Sequence, residues 1–189
     1  MLALISTILL SIQVGLLVSI ALYAWLLFRW LAFGIVDAPF VPTPARYSKL
    51  VLETLDIRSG DVVYELGSGD GKFMLSCALL QPEAKFMGVE RNPFLHALAL
   101  ARKRFGGNPA NVEFRRGDFF ATDLAQASKI YTYLLDSMML RLKPKFEQEF
   151  KGRLASRAFS IPQKEPSNVI TLTHKIGAHG QHLLFVYDF

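Results

Sequence analysis

The apolar positions fall into two regimes. From Leu2 to Phe28 they run without a charged residue, Pro, Asn or Asp. The only polar side chains in that run are Ser6, Thr7, Ser11, Gln13 and Ser19. As a helix, these 27 residues reach roughly 40 Å, more than the roughly 30 Å of a bilayer's hydrocarbon core. Tyr23, Trp25 and Trp30 lie near its C-terminal end, where interfacial aromatics belong. A cleaved signal peptide needs a basic start, a shorter apolar run and a small-x-small cleavage site. This segment has neither the basic start nor the short run, so a retained single span is expected.

Beyond Arg29 the apolar runs become short and alternate with helical stretches. Asp37 to Pro44 carries three prolines, Pro39, Pro42 and Pro44, and reads as a linker. Thr43 before Pro44 reads as an N-cap with proline at the first helical position. Ala45 to Leu55 is then a helix, with Leu50, Val51 and Leu55 on one face. Strands are expected at Asp61–Leu66, Lys85–Glu90, Val112–Phe114, Ile130–Leu135, Ala158–Ile161, Val169–Thr173 and Leu183–Tyr187. Helices are expected at Lys72–Leu80, Pro93–Phe105 and Ala121–Ala127, and from Ser137 to Leu154 with a break or kink near Pro144. The last two strands, joined through Gly177 and Gly180, should pair as a hairpin. This pattern predicts an α/β fold: a doubly wound, seven-stranded, mostly parallel sheet with a C-terminal antiparallel hairpin. The division is residues 1–30 as a transmembrane helix, 31–44 as linker and 45–189 as one domain.

Composition sharpens this picture. The 51% hydrophobic content of the 189 residues is raised by the leader. Fifteen Phe, six Tyr and two Trp exclude a disordered chain. Cys77 is the sole cysteine, which excludes a disulfide scaffold and agrees with a reducing compartment. The net charge is +5. No Lys or Arg precedes the apolar run, whereas Arg29, Arg46 and Lys49 follow it, so the positive-inside rule places the domain on the cytoplasmic side. Arg102-Lys-Arg104 and Arg115-Arg116 read first as solvated faces, and next as surfaces attracted to anionic headgroups. No interleaving of basic and aromatic residues suggests a nucleic-acid partner. His174, His179 and His182 cluster in the last hairpin without Cys or carboxylate at ligand spacing, so no metal is expected.

The chemistry concentrates where strands end. Glu65-Leu-Gly-Ser-Gly-Asp-Gly71 closes the first strand and opens a helix, the place where open α/β sheets bind ligands. Gly67, Gly69 and Gly71 are spaced G-x-G-x-G. The dinucleotide fingerprint needs glycine at position 72, which is Lys. A phosphate-binding loop needs G-K-S/T, and Gly71-Lys-Phe73 fails that test. Glu65 and Asp70 would repel a pyrophosphate and suit a cationic amino-acid group. Glu90 ends the second strand, where a carboxylate accepts ribose hydroxyls. Asp118 and Phe119 follow the third strand, placed to bond an adenine amino group and stack on its ring. Together with Ser68, these residues imply a nucleoside bearing an α-amino acid and no phosphates. S-adenosylmethionine fits that description.

Glu65 to Gly71, Glu90 and Asp118 resemble the cofactor motifs of class I S-adenosylmethionine-dependent methyltransferases. A single N-terminal span, Pro39-Phe-Val-Pro-Thr-Pro44, Val63 to Lys72, Gly88-Val-Glu90 and Gly117-Asp-Phe-Phe120 resemble a narrower family. It comprises membrane-attached protein-lysine methyltransferases, including enzymes acting on the ATP synthase c subunit and on the adenine nucleotide translocase. The resemblance covers about Phe40 to Pro162; Leu134-Leu-Asp-Ser137, after the fourth strand, departs from it. It implies a methyltransferase anchored at a membrane, whose acceptor is a lysine amine of a protein near that membrane's surface. It also implies that Thr43 and its prolines form a lid over the cofactor. The competing readings are methylation of a lipid, quinone or other small molecule, and a non-catalytic cofactor-binding module. A base methyltransferase is disfavoured, because Leu135-Asp-Ser-Met138 lacks the Asn/Asp-Pro-Pro-aromatic motif. Asp136 is a weak candidate for orienting the acceptor amine, against a plain reading as the cap of the following helix.

Overall fold

The structure is a computed structural model that describes residues 2–33, 40–172 and 183–189. It divides into two compact units, Met1–Pro39 and Phe40–Phe189. Phe40 to Pro44 therefore belong to the larger unit rather than to the connection.

The described residues of the first unit form one helix, α1 (Leu2–Phe33). Its stretch Ile5–Phe28 is exposed throughout and is long and apolar enough to cross a membrane. The Ser11 and Ser19 hydroxyls donate to the Thr7 and Gly15 carbonyls, each at 2.9 Å. Such back-bonding satisfies a hydroxyl on an otherwise apolar surface.

The second unit is built on seven strands: β1 (Val62–Leu66), β2 (Lys85–Glu90), β3 (Val112–Arg116), β4 (Lys129–Thr132), β5 (Arg153–Arg157), β6 (Asn168–Thr171) and β7 (Leu183–Asp188). Their order is β3-β2-β1-β4-β5-β7-β6. Strands β1 to β5 pair in parallel, and β7 runs antiparallel to both β5 and β6. The chain winds outward from β1 in two directions, so the crevice between the ends of β1 and β4 is the switch point. The predicted hairpin forms, with β7 inserted between β5 and the edge strand β6. Its connecting residues, including Gly177, Gly180 and the three histidines, lie outside the described residues.

Helices α2 (Ser48–Leu55), α3 (Lys72–Leu80) and α4 (Pro93–Phe105) cover one face. Val51, Leu55, Phe73, Met74, Cys77 and Ala99 pack there on Val63, Phe86, Phe114, Tyr131 and Ala155. α5 (Asp136–Glu149) covers the other face with Met138, Met139, Leu142 and Phe146, and the Met139 sulfur meets the Ser156 hydroxyl.

Five expectations are corrected. Ala121–Ala127 is not a helix. Asp118 instead draws Ala121 N–H and the Thr122 hydroxyl onto its carbonyl, and Asp123 takes Ala125 N–H, so local turns win over helix. α5 runs through Pro144 unbroken; its buried apolar row on either side of the proline outweighs the lost bond. The fifth strand is Arg153–Arg157 rather than Ala158–Ile161, because Ala158 has φ +67° and ends it. The fourth strand stops at Thr132, before Leu135. Pro44, not Thr43, precedes the helical turn at Ala45–Tyr47.

Candidate functional site

The C-terminal ends of β1, β2, β3 and β4 bring most of the predicted residues to one edge. Glu65 is next to last in β1, paired with Gly88 on one side and Tyr131 on the other. The chain then turns through Gly67, Gly69 and Gly71 at φ +79°, +55° and +71°. Side chains rarely adopt such angles, which is why glycine recurs at every second position. A Cβ on Gly71 would lie 2.5 Å from the Phe114 ring and 2.8 Å from Ala99. A Cβ on Gly69 would collide with the Phe40 ring. The loop is thus pressed onto the core at one glycine and covered by an aromatic at the other.

Glu90 locks this loop in place. One carboxylate oxygen accepts Gly69 N–H at 2.8 Å and the other accepts Asn92 N–H at 2.7 Å. Asn92 in turn caps α4, accepting Phe94 N–H at 2.9 Å and Leu95 N–H at 3.2 Å. Each oxygen keeps a further lone pair for a hydroxyl donor. Asp70 accepts Lys72 N–H and pairs with Arg102 of α4, and its charge still bears on Glu65. Part of its charge is answered by the Arg102 guanidinium.

Glu65 differs from both. It is buried, and among the described residues its Oε2 has no hydrogen-bond partner. Burial, then the neighbouring charges of Asp70 and Glu90, push its carboxyl well above the usual range. The buried Ser68 hydroxyl beside it also lacks a partner among the described residues. Buried polar groups without partners are costly, so their cluster at a glycine cradle marks where a ligand completes the structure.

At the end of β3, Gly117 N–H bonds the Glu90 carbonyl at 3.0 Å and carries Asp118 to the same edge. Asp118 accepts Phe120 N–H at 2.9 Å, and the Phe119 and Phe120 rings lie 4.7 Å apart. Phe120 also lies 4.0 Å beneath the Arg141 guanidinium. Thr43 is buried, its hydroxyl 2.9 Å from that of Tyr131. Burial pushes the Tyr131 phenol upward, partly offset by that bond, so the pair is neutral at physiological pH. Asp136 is exposed in the first turn of α5, whose cap position is Leu135. A carboxylate there meets the positive end of the helix.

Sequence reasoning missed Phe40, Asn92, Thr132 and Arg157. Asn92 before Pro93 was a legible capping signal. Thr132 and Arg157 carry buried polar atoms without partners among the described residues. The misplaced fourth and fifth strands hid both.

S-adenosylmethionine fits these residues: a buried carboxylate oxygen and hydroxyl without partners among the described residues, at a cradle that side chains would fill, with a second carboxylate at the next strand end. Similarity to known proteins agrees. A family model described as the ANTKMT methyltransferase domain matches residues 65–168. A protein-lysine N-methyltransferase of Saccharolobus islandicus is 32% identical over 151 residues, 79% of this chain and 92% of the relative. A lysine N-methyltransferase of the ATP synthase c subunit, from Caenorhabditis elegans, is 28% identical over 159 residues, 80% of each chain. Among solved structures, an RNA methyltransferase from Salinibacter ruber, in complex with S-adenosyl-L-homocysteine, superposes with a TM-score of 0.69. That pair is 29% identical and covers 78% of this chain and 93% of the other. The chain belongs to the ANTKMT methyltransferase family, on the fold of the class I S-adenosylmethionine-dependent methyltransferases.

Proposed function

We propose that the chain is a membrane-anchored methyltransferase that transfers a methyl group from S-adenosylmethionine to the side-chain amine of lysine in a membrane protein. The observation that carries the cofactor assignment is the buried Glu65 Oε2, unpartnered among the described residues beside three glycines at positive φ. Glu65 and the Ser68 hydroxyl are assigned to the cofactor's amino-acid end, Glu90 to its ribose hydroxyls, and Asp118 with Phe119 to its adenine. Two relatives named for lysine methylation, each matched over 79% or more of this chain, support the acceptor. The exposed apolar stretch Ile5–Phe28 supports the anchor, and tethering raises the effective concentration of an acceptor in the same membrane.

When bound, the cofactor supplies a methyl group activated on a sulfonium. The chain has to position donor and acceptor and exclude water. A lysine must arrive as the neutral amine, since an ammonium has no lone pair. The buried Leu134, just after β4, favours that form by desolvation. The Tyr131 hydroxyl, held by Thr43, keeps its proton and serves as a fixed dipole rather than a base.

Incubating the full-length protein with labelled cofactor and native membranes, then locating the label by mass spectrometry, tests the assignment. Label on a lysine side chain is expected. Label on lipid or another small molecule, or on added RNA, would overturn it.

A further inference from the structure

Arg157 is the last residue of β5 and takes no part in the cofactor cradle. Its side chain is buried, at 7% exposure, yet Nε and Nη1 have no hydrogen-bond partner among the described residues. No ion pair answers its charge among those residues. A cation withdrawn from water without a counter-ion is costly. The rings of Tyr133 and Tyr47, with centroids 4.5 Å and 5.3 Å from the guanidinium carbon, offset part of that cost. They leave Nε and Nη1 without a hydrogen-bond acceptor among the described residues. Tyr133 is itself backed by Phe159, 6.2 Å away, and Ala158 at φ +67° turns the chain off the sheet immediately after the arginine. The side chain is therefore held by its surroundings, with Nε and Nη1 facing no partner among the described residues.

Its place on the sheet says which ligand. Residues alternate between faces along a strand. Ala155 pairs with Tyr131, and Tyr131 with Glu65, so Arg157 lies on the same face as Glu65, one row further along. β4 separates it from β1, which at strand spacing puts the two backbones roughly 10 Å apart. Tyr131 stands on the strand between theirs, and both Arg157 and Glu65 act electrostatically on its hydroxyl. Glu65 belongs to the cofactor's side of that tyrosine. Arg157 stands on the other side of that tyrosine, at the end of β5.

We propose that Arg157 is the seat for a carboxylate of the acceptor protein, an Asp or Glu close in sequence to the lysine that is methylated. The inference rests on the lysine reading above and adds an acidic neighbour to its specificity. A planar guanidinium clamped by aromatic rings is preorganised for a carboxylate. The pair then supplies the acceptor that Nε and Nη1 lack among the described residues.

The test uses the full-length protein in detergent micelles and short peptides with one lysine. The peptides form matched pairs differing only in Glu or Gln a few residues from the lysine. The wild type is expected to show a KM about tenfold lower for the Glu peptides, the size of one charged hydrogen bond, with similar kcat. Arg157→Gln should erase that preference and leave the calorimetric affinity for S-adenosylmethionine unchanged; Arg157→Lys should restore part of it. Three results overturn the proposal: equal KM values in the wild type, a loss of cofactor affinity in Arg157→Gln that matches its loss of activity, or lower thermal stability with the preference intact. Lysine methylation indifferent to the acidic neighbour sinks this inference alone. Methylation of some other molecule and of no lysine sinks the lysine reading with it.

Discussion

At the scale of single residues, Glu65 is the group whose behaviour is most sharply determined. Its carboxyl is raised by burial, then by Asp70 and Glu90. In the unfolded chain it ionises near pH 4.3. The folded, cofactor-free protein therefore binds the extra proton, and its stability falls as pH rises from that value through the raised one. Glu65→Gln removes this cost: the cofactor-free variant should melt a few degrees higher at neutral pH, with a flatter dependence on pH. The same change should weaken S-adenosylmethionine binding about 10- to 100-fold, since an amide offers no charge to an ammonium. In the wild type, an arriving cation favours the carboxylate and should expel a proton. The calorimetric heat should then depend on the ionisation heat of the buffer, and in the variant it should not. Equal affinity in wild type and variant would place the amino group elsewhere. Cys77 makes a second residue-scale prediction: burial pushes its thiol up to about 12. It should resist iodoacetamide at neutral pH until the protein is unfolded.

At the scale of elements, the glycine loop separates two kinds of constraint. Gly71 is wedged against Phe114 and Ala99, whereas the nearest neighbour of Gly69 is the ring of Phe40. Gly71→Ala combines a disfavoured φ with overpacking of the core and should cost about 2–4 kcal/mol in urea unfolding. Gly69→Ala should cost about 1 kcal/mol once the ring has moved. A double-mutant cycle with Phe40→Ala measures that displacement as the coupling between the two sites; strict additivity would mean the ring does not cover the loop. These glycines and the acids at 65 and 90 were legible because a strand end, a turn and a helix start each leave a mark in sequence. Strand β5 was not. Only Leu154, Ala155 and Ser156 stand between two arginines, so its pattern is too short to read, while the apolar Ala158-Phe-Ser-Ile161 imitates a strand that the Ala158 backbone forbids. The consequence is chemical as well as topological, since Arg157 was hidden with its strand. The stretch 121–127 failed for a related reason, its helical composition being overruled by three side-chain-supported turns.

At the scale of the whole molecule, the alternation of strands and helices made the parallel half of the sheet legible. The insertion of β7 between β5 and β6 is a long-range pairing, and no local signal records it. The division after Pro39 gives the remaining prediction a clean form. The unit from Phe40 onward holds its own core and every residue assigned to the cofactor. A chain starting at Phe40 should fold, bind S-adenosylmethionine with the affinity of the full protein, and methylate a lysine peptide in solution with unchanged kcat/KM. The two forms should part company only when the acceptor sits in a bilayer. The full chain should float with lipid vesicles and methylate an acceptor embedded in them about 100-fold faster at equal concentration, the range in which tethering acts; the shortened form should remain in the supernatant. Flotation of the shortened form would move membrane attachment to the domain surface, where Arg102, Lys103, Arg104 and the exposed Phe105 lie together at the end of α4. Equal rates on embedded acceptor would show that the apolar helix serves some end other than bringing enzyme and acceptor together.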